Sequence, residues 1–355
     1  MNTAFTRTLG LDLPIVLGPM NNASSPQLCA AVCQAGGLGS FAAALLSPPA
    51  ITQAIQSIRA LTPRPFNVNL FVLTAPQPDP AQIERALSSM RPFLQQHAVA
   101  NNAVPTVFCE DFEDQLAAVL AAAPPVVSFT FGIVSAEVVA QFHAVGSRVI
   151  GTATTVAEAR AWQAVGADFI CAQGAEAGGH RGTFLGDMEQ SAIGSMALIP
   201  QIVDAVQIPV IAAGGIMDGR GIAAALMLGA QAVQMGTAFL SCAECAIAPA
   251  WKAALLAAHD DSTRMTRAFS GRPARGIINR FTEHMRVLEG DLPPYPIQNA
   301  LTGALRRAAG AVGDAEAMSL WAGQGVAMSR SLSVGALIGQ LATETATALA
   351  RYRTG

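Results

Sequence analysis

The chain has 355 residues, of which 52% are hydrophobic and 13% are charged, and its formal net charge is −3. The sparse charge without a basic stripe excludes a nucleic-acid-binding surface, and six cysteines in a chain of this length exclude a disulfide scaffold. We expect a cytoplasmic protein without membrane spans, because the first residues lack the pattern of a signal peptide, and the sparsely charged surface favours a homo-oligomer.

Eight short apolar runs alternate with amphipathic segments along the first two thirds of the chain. Near-continuous apolar runs are typical of parallel strands that are buried on both faces. We predict strands at 14–20, 37–43, 66–72, 126–132, 148–154, 169–174, 208–215 and 232–239. Eight strand–helix units in about 230 residues indicate an α/β fold of the (β/α)8 TIM-barrel type. The alternative is an open doubly wound sheet, which more often has about five or six strands.

Helical patterns lie between these strands and after them. Ser25 and Pro26 are a typical N-cap and first residue of a helix, and Gly36 is a typical stop. We predict helices over 25–36, 79–97, 154–168 and 331–352, the last of which would be the final outer helix of the barrel.

The alternation of strands and helices breaks between residues 241 and 329, which carry "FSGRPARGIINRF" and "GDLPPYPIQN". We interpret 241–329 as a smaller, mostly helical second domain inserted after strand eight, and we assign 1–240 plus 330–355 to the barrel. Cys242 and Cys245 form a C-x-x-C pair there. We interpret them as buried core residues rather than a redox or zinc pair, because free cysteine is commonly buried.

Glycines follow the last two predicted strands, at the barrel end where active sites lie. Gly214 and Gly215 end the seventh strand, and Gly236 and Thr237 lie in the eighth. Loops at these two positions, together with a helix N-terminus, often bind phosphate, so that a flavin mononucleotide or a sugar phosphate would fit. The alternative is that the glycines only form tight turns.

The candidate catalytic residue is His180, in the glycine-rich segment "CAQGAEAGGHRG" at 171–182. The other four histidines fall in predicted helices or at their ends. A histidine at a strand end, beside glycines that admit a ligand, suits a general acid or base. A purely structural role is the alternative. We expect no metal site, because no residues have the spacing of metal ligands.

Several longer motifs occur together in this chain. They are "GPM" (18–20), "AGGLGS" (35–40), "RPFNVNLFV" (64–72), "AQGAEAGGHRG" (172–182), "IPVIAAGGI" (208–216), "VQMGTAFL" (233–240), "FSGRPARGIINRF" (269–281) and "WAGQG" (321–325). With these motifs the chain resembles the nitronate monooxygenases, formerly called 2-nitropropane dioxygenases, in their larger bacterial and fungal class. The resemblance implies an FMN-dependent TIM barrel with a smaller second domain. Such an enzyme oxidises alkyl nitronates, propionate 3-nitronate being one guess, with O₂ to carbonyl compounds and nitrite.

The resemblance also assigns roles to individual residues. His180 would be catalytic, and the segment from Gln234 to Thr237 would hold the phosphate of FMN. The implied FMN-binding residues are Met20, Asn69, Gln173, Gly178, Gly214, Gly215, Gln234, Met235, Gly236 and Thr237.

The chain departs from the family pattern at several positions. Thr130 stands where many relatives have a histidine, and Asn299 where an aromatic residue is expected. Only Tyr295 and Tyr352 are tyrosines, and we expect Trp251 or Phe108 to replace others. Two other functions stay open: a flavin-dependent enoyl-ACP reductase, which uses NAD(P)H and has a similar E-x-G-G-H loop, and a non-catalytic FMN-binding protein.

Overall fold

The computed structural model describes residues 1–99 and 104–351. The strands in this range are β1 (Ile15–Leu17), β2 (Gly39–Ala42), β3 (Phe66–Phe71), β4 (Val126–Thr130), β5 (Arg148–Ala153), β6 (Phe169–Gln173), β7 (Gly179–His180), β8 (Val210–Ala213), β9 (Ala232–Met235), β10 (Thr263–Thr266) and β11 (Ala274–Ile277). Parallel pairing orders eight of them as β1-β9-β8-β6-β5-β4-β3-β2. A parallel bridge between Val16 and Leu38 joins the two ends of this sheet, which confirms the predicted TIM barrel.

Helices surround the barrel, and further helices lie beyond the carboxyl ends of its strands. They are α1 (Ala4–Leu9), α2 (Pro26–Gln34), α3 (Pro48–Leu61), α4 (Pro80–Gln96), α5 (Phe112–Ala122), α6 (Ala136–Ala144), α7 (Val156–Ala164), α8 (Ser195–Ala205), α9 (Gly219–Met227), α10 (Thr237–Leu240), α11 (Pro249–Ala257), α12 (Arg280–Met285), α13 (Ile297–Leu301), α14 (Gly303–Val312) and α15 (Val334–Ala350). Short 3₁₀ turns cover Arg286–Leu288, Ala315–Ala317 and Val326–Met328. Within the described residues, no helix combines the length and apolar character needed to span a membrane.

Each predicted strand contains one of the eight barrel strands, but the observed strands are shorter. The end of the last prediction is wrong, because residues 237–239 belong to helix α10. Gly236 has helical backbone angles and ends the strand. Strand β8 likewise ends before Gly214 and Gly215, whose φ angles of +125° and +68° no strand residue adopts.

The predicted helices are present, and their caps follow from the sequence. Ser25 Oγ accepts a hydrogen bond from the amide of Leu28 at 3.0 Å, and Pro26 is the first residue of α2. Helix α15 packs against α9 and α2, as expected for the final outer helix. Residue 352, where the prediction ends, lies outside the described residues.

The amino end of the barrel is filled by side chains. Phe5 of α1 is fully buried and packs edge-to-face on Phe169, with ring centroids 4.9 Å apart. Val126, Ile150 and Ile211 belong to the same apolar cluster. The open space of the barrel is therefore at its other end, where the carboxyl ends of the strands meet.

Most of the regular structure in the segment 241–329 is helical, but the segment also contains the antiparallel hairpin β10–β11, which the sequence analysis missed. Strand β11 pairs in turn with β7, from the loop that follows barrel strand β6. Buried side chains of the segment, including Phe269 and Phe281, share one apolar cluster with Leu17 and Phe239 of the barrel part. The division into two domains stays a prediction.

Candidate active site

A cavity lies at the carboxyl ends of the barrel strands and encloses about 1420 Å³ of empty space, including its mouth. His180 lines it, together with all but one of the predicted cofactor-binding residues: Met20, Asn69, Gln173, Gly178, Gly214, Gly215, Gln234, Gly236 and Thr237. Met235 does not line it. Its side chain is buried in the apolar cluster outside the strands, because neighbouring strand residues face opposite ways and Gln234 faces the cavity.

The glycines of the cavity permit close approach of backbone segments. A Cβ atom on Gly178 would lie 2.6 Å from both the carbonyl carbon of Ala322 and the amide nitrogen of Gly323. A Cβ atom on Gly236 would lie 3.2 Å from the sulfur of Met20. Glycine is therefore required where the loops after β6 and β9 border the cavity.

His180 is held in a short strand rather than in a flexible loop. Gly179 and His180 form β7, which pairs with Arg275 and Ala274 of β11, and the amide of Arg181 donates to the carbonyl of Pro273 at 2.8 Å. The sequence analysis missed this strand, because a two-residue strand after glycines has no periodicity to detect.

The amide of Gln173 fixes the backbone that directly follows the His180 side chain, from the carbonyl of His180 to the amide of Gly182. Its Nε2 donates to the carbonyl of His180 at 2.9 Å, and its Oε1 accepts from the amide of Gly182 at 2.8 Å. Both polar ends of this side chain are thus engaged within the protein, although the residue lines the cavity. Gln173 positions His180, a role that the sequence did not indicate.

Aromatic rings surround the imidazole of His180. The rings of Phe131, Tyr295 and Trp321 have their centroids 5.6, 5.5 and 5.4 Å from that of His180. The Nε2 atom is buried and has no hydrogen-bond partner within the described residues. The ring nevertheless borders the cavity, so that this nitrogen can meet a ligand.

The surroundings of His180 keep its imidazole neutral. Burial, with a further contribution from the guanidinium groups of Arg272 and Arg306, lowers the pKa of His180 to about 3. A neutral imidazole has one nitrogen that can accept a proton. At neutral pH His180 is therefore available as a base.

Arg272 stabilises the wall beside His180. Its guanidinium carbon lies 4.0 Å from the centroid of the Phe131 ring, a cation–π arrangement. Its Nε donates to the carbonyl of Arg181 at 2.9 Å, and its Nη2 donates to that of Thr183. Phe131 has φ +76°, an unusual angle for a bulky residue and one that is typically found at functional sites.

Thr130 belongs to a chain of polar side chains on the cavity wall. The amide nitrogen of Asn69 lies 3.0 Å from Ser128 Oγ and 3.3 Å from Thr130 Oγ1. The hydroxyl oxygens of Thr130 and Thr152 are 3.3 Å apart. These contacts add hydroxyl groups to the wall but no second imidazole.

The segment 241–329 supplies several further cavity residues. Trp251, Tyr295 and Asn299 line the cavity, as does Arg306, which the sequence analysis did not identify. Phe108 is partly buried against the apolar core instead, and Tyr352 lies outside the described residues. Arg306 has no motif around it, so that only its place in the fold reveals it.

The chain is a TIM-barrel protein whose cavity lies at the carboxyl ends of its strands, where barrels of this kind commonly bind small molecules. The profile of the nitronate monooxygenase family matches residues 2–344. A probable nitronate monooxygenase of Staphylococcus haemolyticus is 41% identical over 354 residues, which cover 99% of each chain. One of Staphylococcus aureus (strain Newman) is 42% identical over 320 residues, 90% of each chain. The chain belongs to the nitronate monooxygenase family, as its motifs predicted.

Solved structures agree with this assignment. Nitroalkane oxidase from Streptomyces ansochromogenes superposes with a TM-score of 0.91 at 43% identity, over 98% of this chain and 99% of that one. FabK from Thermotoga maritima has a TM-score of 0.79 at 29% identity, over 99% of both chains. The family and the first of these structures together identify the chain as an oxidoreductase of the nitronate monooxygenase type.

Proposed function

We propose that this protein is an FMN-dependent enzyme that oxidises alkyl nitronates, propionate 3-nitronate among the candidates, with O₂ to a carbonyl compound and nitrite. The observation that carries the proposal is the neutral imidazole of His180 in a glycine-lined cavity of a chain that belongs to this family. The proposal includes a cover over the substrate formed by the segment 241–329, which contributes Tyr295, Asn299 and Trp321 to the cavity.

The residues of the cavity fit FMN. A Cβ atom on Gly178 or Gly236 would meet neighbouring protein atoms at 3.2 Å or less, so that only glycine allows these segments to pack closely at the edge of the cavity. Three residues that line the cavity also carry a buried nitrogen without a partner among the described residues, namely His180 Nε2, Trp251 Nε1 and Arg306 Nε. Such atoms are costly unless a ligand satisfies them.

We assign the parts of FMN to two sides of the cavity. The backbone after β8 and β9, at Gly214-Gly215 and Gly236-Thr237, would hold the phosphate, in keeping with the common phosphate site of TIM barrels. Met20, Asn69 and Gln173 would border the ring system. When bound, FMN would accept the electrons that the substrate loses.

His180 acts according to the form of the substrate. With a neutral nitroalkane, its unprotonated ring nitrogen takes the α-proton, and the imidazolium and the nitronate then stabilise each other. A pKa near 3 makes the imidazole a weak base in the empty cavity, but the nearby anion that forms raises this pKa. With a preformed nitronate no proton is removed, and His180 only stabilises the negative charge. The rings of Phe131, Tyr295 and Trp321 exclude water from this step.

The proposal is tested first by the cofactor and the substrate. We expect purified protein to contain about one FMN per chain. Under anaerobic conditions a nitronate should change the flavin spectrum, and in air nitrite should accumulate. A colourless protein that cannot be reconstituted with FMN would contradict the proposal.

The role of His180 is tested by His180→Gln. General-base catalysis contributes about 10²- to 10⁴-fold, so turnover of a neutral nitroalkane should fall by about 100-fold or more. Turnover of the preformed nitronate should fall less, and FMN should stay bound. His143→Gln is the control, because His143 lies on α6 and pairs with Asp168. Unchanged turnover of the nitroalkane would remove His180 from the mechanism.

An NAD(P)H-dependent reductase is the second candidate, and the fold shared with FabK favours it. FabK is 29% identical to this chain in sequence, which is lower than the 43% found for the nitroalkane oxidase. Reduction of the flavin by NADH, without a response to a nitronate, would support the reductase. No response to either compound would support a non-catalytic FMN-binding protein.

A further inference from the structure

We propose that Arg306 is a specificity-determining residue that binds an anionic group of the substrate, separate from the nitronate group itself. The proposal rests on the proposed function, and it names the part of the cavity that selects among nitronates. Its preferred substrates would carry a carboxylate or a similar anion at the end away from the carbon that is oxidised.

The guanidinium of Arg306 is only partly satisfied by the protein. Its Nη2 donates to the carbonyl oxygen of Asn299 at 2.7 Å and to Asn299 Oδ1 at 2.9 Å. Its Nε is buried without a hydrogen-bond partner in the described part of the chain. A guanidinium presents five N–H donors in a rigid fork. Asn299 therefore holds one end of the fork and leaves donors for a ligand in the cavity.

No carboxylate among the described residues pairs with the guanidinium of Arg306. Tyr295 and Arg307 are the titratable groups that act on it, and burial lowers its pKa to about 10. The side chain is thus still a cation at neutral pH. A partly buried cation without a counter-ion favours an anionic ligand.

The position of Arg306 indicates which anion it binds. Arg306 lines the cavity together with His180 and Tyr295, whose ring centroids are 5.5 Å apart, and its charge contributes to the lowered pKa of His180. The group that it binds thus lies on the side of the cavity where His180 acts. A phosphate of FMN would instead be held after β8 and β9, so we assign Arg306 to the substrate.

The test compares two ligands that differ in charge but not in length. We would titrate the FMN-bound protein anaerobically with 3-nitropropionate and with 1-nitrobutane, and measure binding by calorimetry. The variants are Arg306→Met, Arg306→Lys and, as the control, Arg307→Met. Arg307 is the next residue of the same helix and is exposed.

We expect Arg306→Met to weaken binding of 3-nitropropionate by about 10- to 100-fold, the usual range for a hydrogen bond to a charged group. Binding of 1-nitrobutane should change by less than about threefold. Arg306→Lys should retain part of the preference, because it keeps the charge but loses the planar fork. Arg307→Met should behave as the wild type.

Three results would overturn the proposal. The first is equal weakening of both ligands by Arg306→Met, and the second is a wild type without preference for 3-nitropropionate. The third is loss of FMN from Arg306→Met, which would assign the residue to the cofactor phosphate. The titration needs no turnover. If Arg306 is found to select the charged ligand but the protein does not oxidise nitronates, the proposed function is refuted and this inference still stands.

Discussion

Replacement of Gly178 by alanine tests how tightly the loop after β6 packs against residues 322–323. The added Cβ atom would lie 2.6 Å from the carbonyl carbon of Ala322 and from the amide nitrogen of Gly323, and 3.0 Å from Ala322 Cα. Ordinary contacts between carbon atoms are about 3.5–4.0 Å. The two backbone segments must therefore separate by about 1 Å.

Two hydrogen bonds resist this separation. The amide of Gly323 donates to Thr237 Oγ1 at 2.9 Å, and the amide of Gln324 donates to the carbonyl of Glu176 at 2.9 Å. Overpacking of this kind costs about 1–3 kcal/mol. Because Thr237 lies at the proposed phosphate site, we expect Gly178→Ala to lose FMN as well as stability.

The assay is thermal unfolding together with the FMN content of the purified protein. Gly179→Ala is the first control: no heavy atom lies within 4 Å of its Cβ position, but its φ is +70°, so a loss of about 1–2 kcal/mol is expected from the backbone alone. Gly290→Ala is the second, in open space without a positive φ. The reasoning is refuted if Gly178→Ala unfolds at the same temperature as Gly290→Ala and retains its FMN.

Two further predictions concern buried ionisable groups. Burial lowers the pKa of His180 to about 3, so unfolding takes up a proton below about pH 6.5. When the pH is lowered from 8 to 5, the free energy of unfolding of the wild type should therefore fall relative to that of His180→Gln, as measured by urea titration. A difference between the two proteins that stays constant with pH would contradict this. Buried Glu158 accepts from the amides of Thr154, Phe184 and Leu185. Glu158→Gln should lower the free energy of unfolding by about 1–3 kcal/mol. Glu84→Gln, at an exposed position, should not lower it. Equal unfolding midpoints of the two variants would contradict this prediction.

The barrel could be predicted because each of its strands is an apolar run between helical patterns. The boundaries of the strands could not be predicted, since they depend on backbone angles such as those of Gly214 and Gly236. Strand β7 and the hairpin β10–β11 escaped prediction for another reason. They are short and rich in glycine and arginine, and they are stabilised by pairing between segments that are distant in the sequence.

The candidate site was predicted in the same uneven way. His180 and the glycines could be found because they follow predicted strands in short motifs. Met235 was included with its segment, although alternation along β9 places its side chain outside the cavity. Arg306 lies on helix α14, far in the sequence from the end of any strand. The role proposed for Arg306 rests on its Nε, which has no hydrogen-bond partner among the described residues, and this is visible only in the folded chain.

The pairing of β7 with β11 also limits how this protein can change by insertion or deletion. Loops usually tolerate a change of length, but the loop after β6 leads directly into a ladder in which His180 lies opposite Ala274. A shift of that ladder by one residue would turn the imidazole to the opposite face of the small sheet. In evolution or in engineering, a change in the length of this loop would therefore alter the candidate site as directly as a replacement of His180.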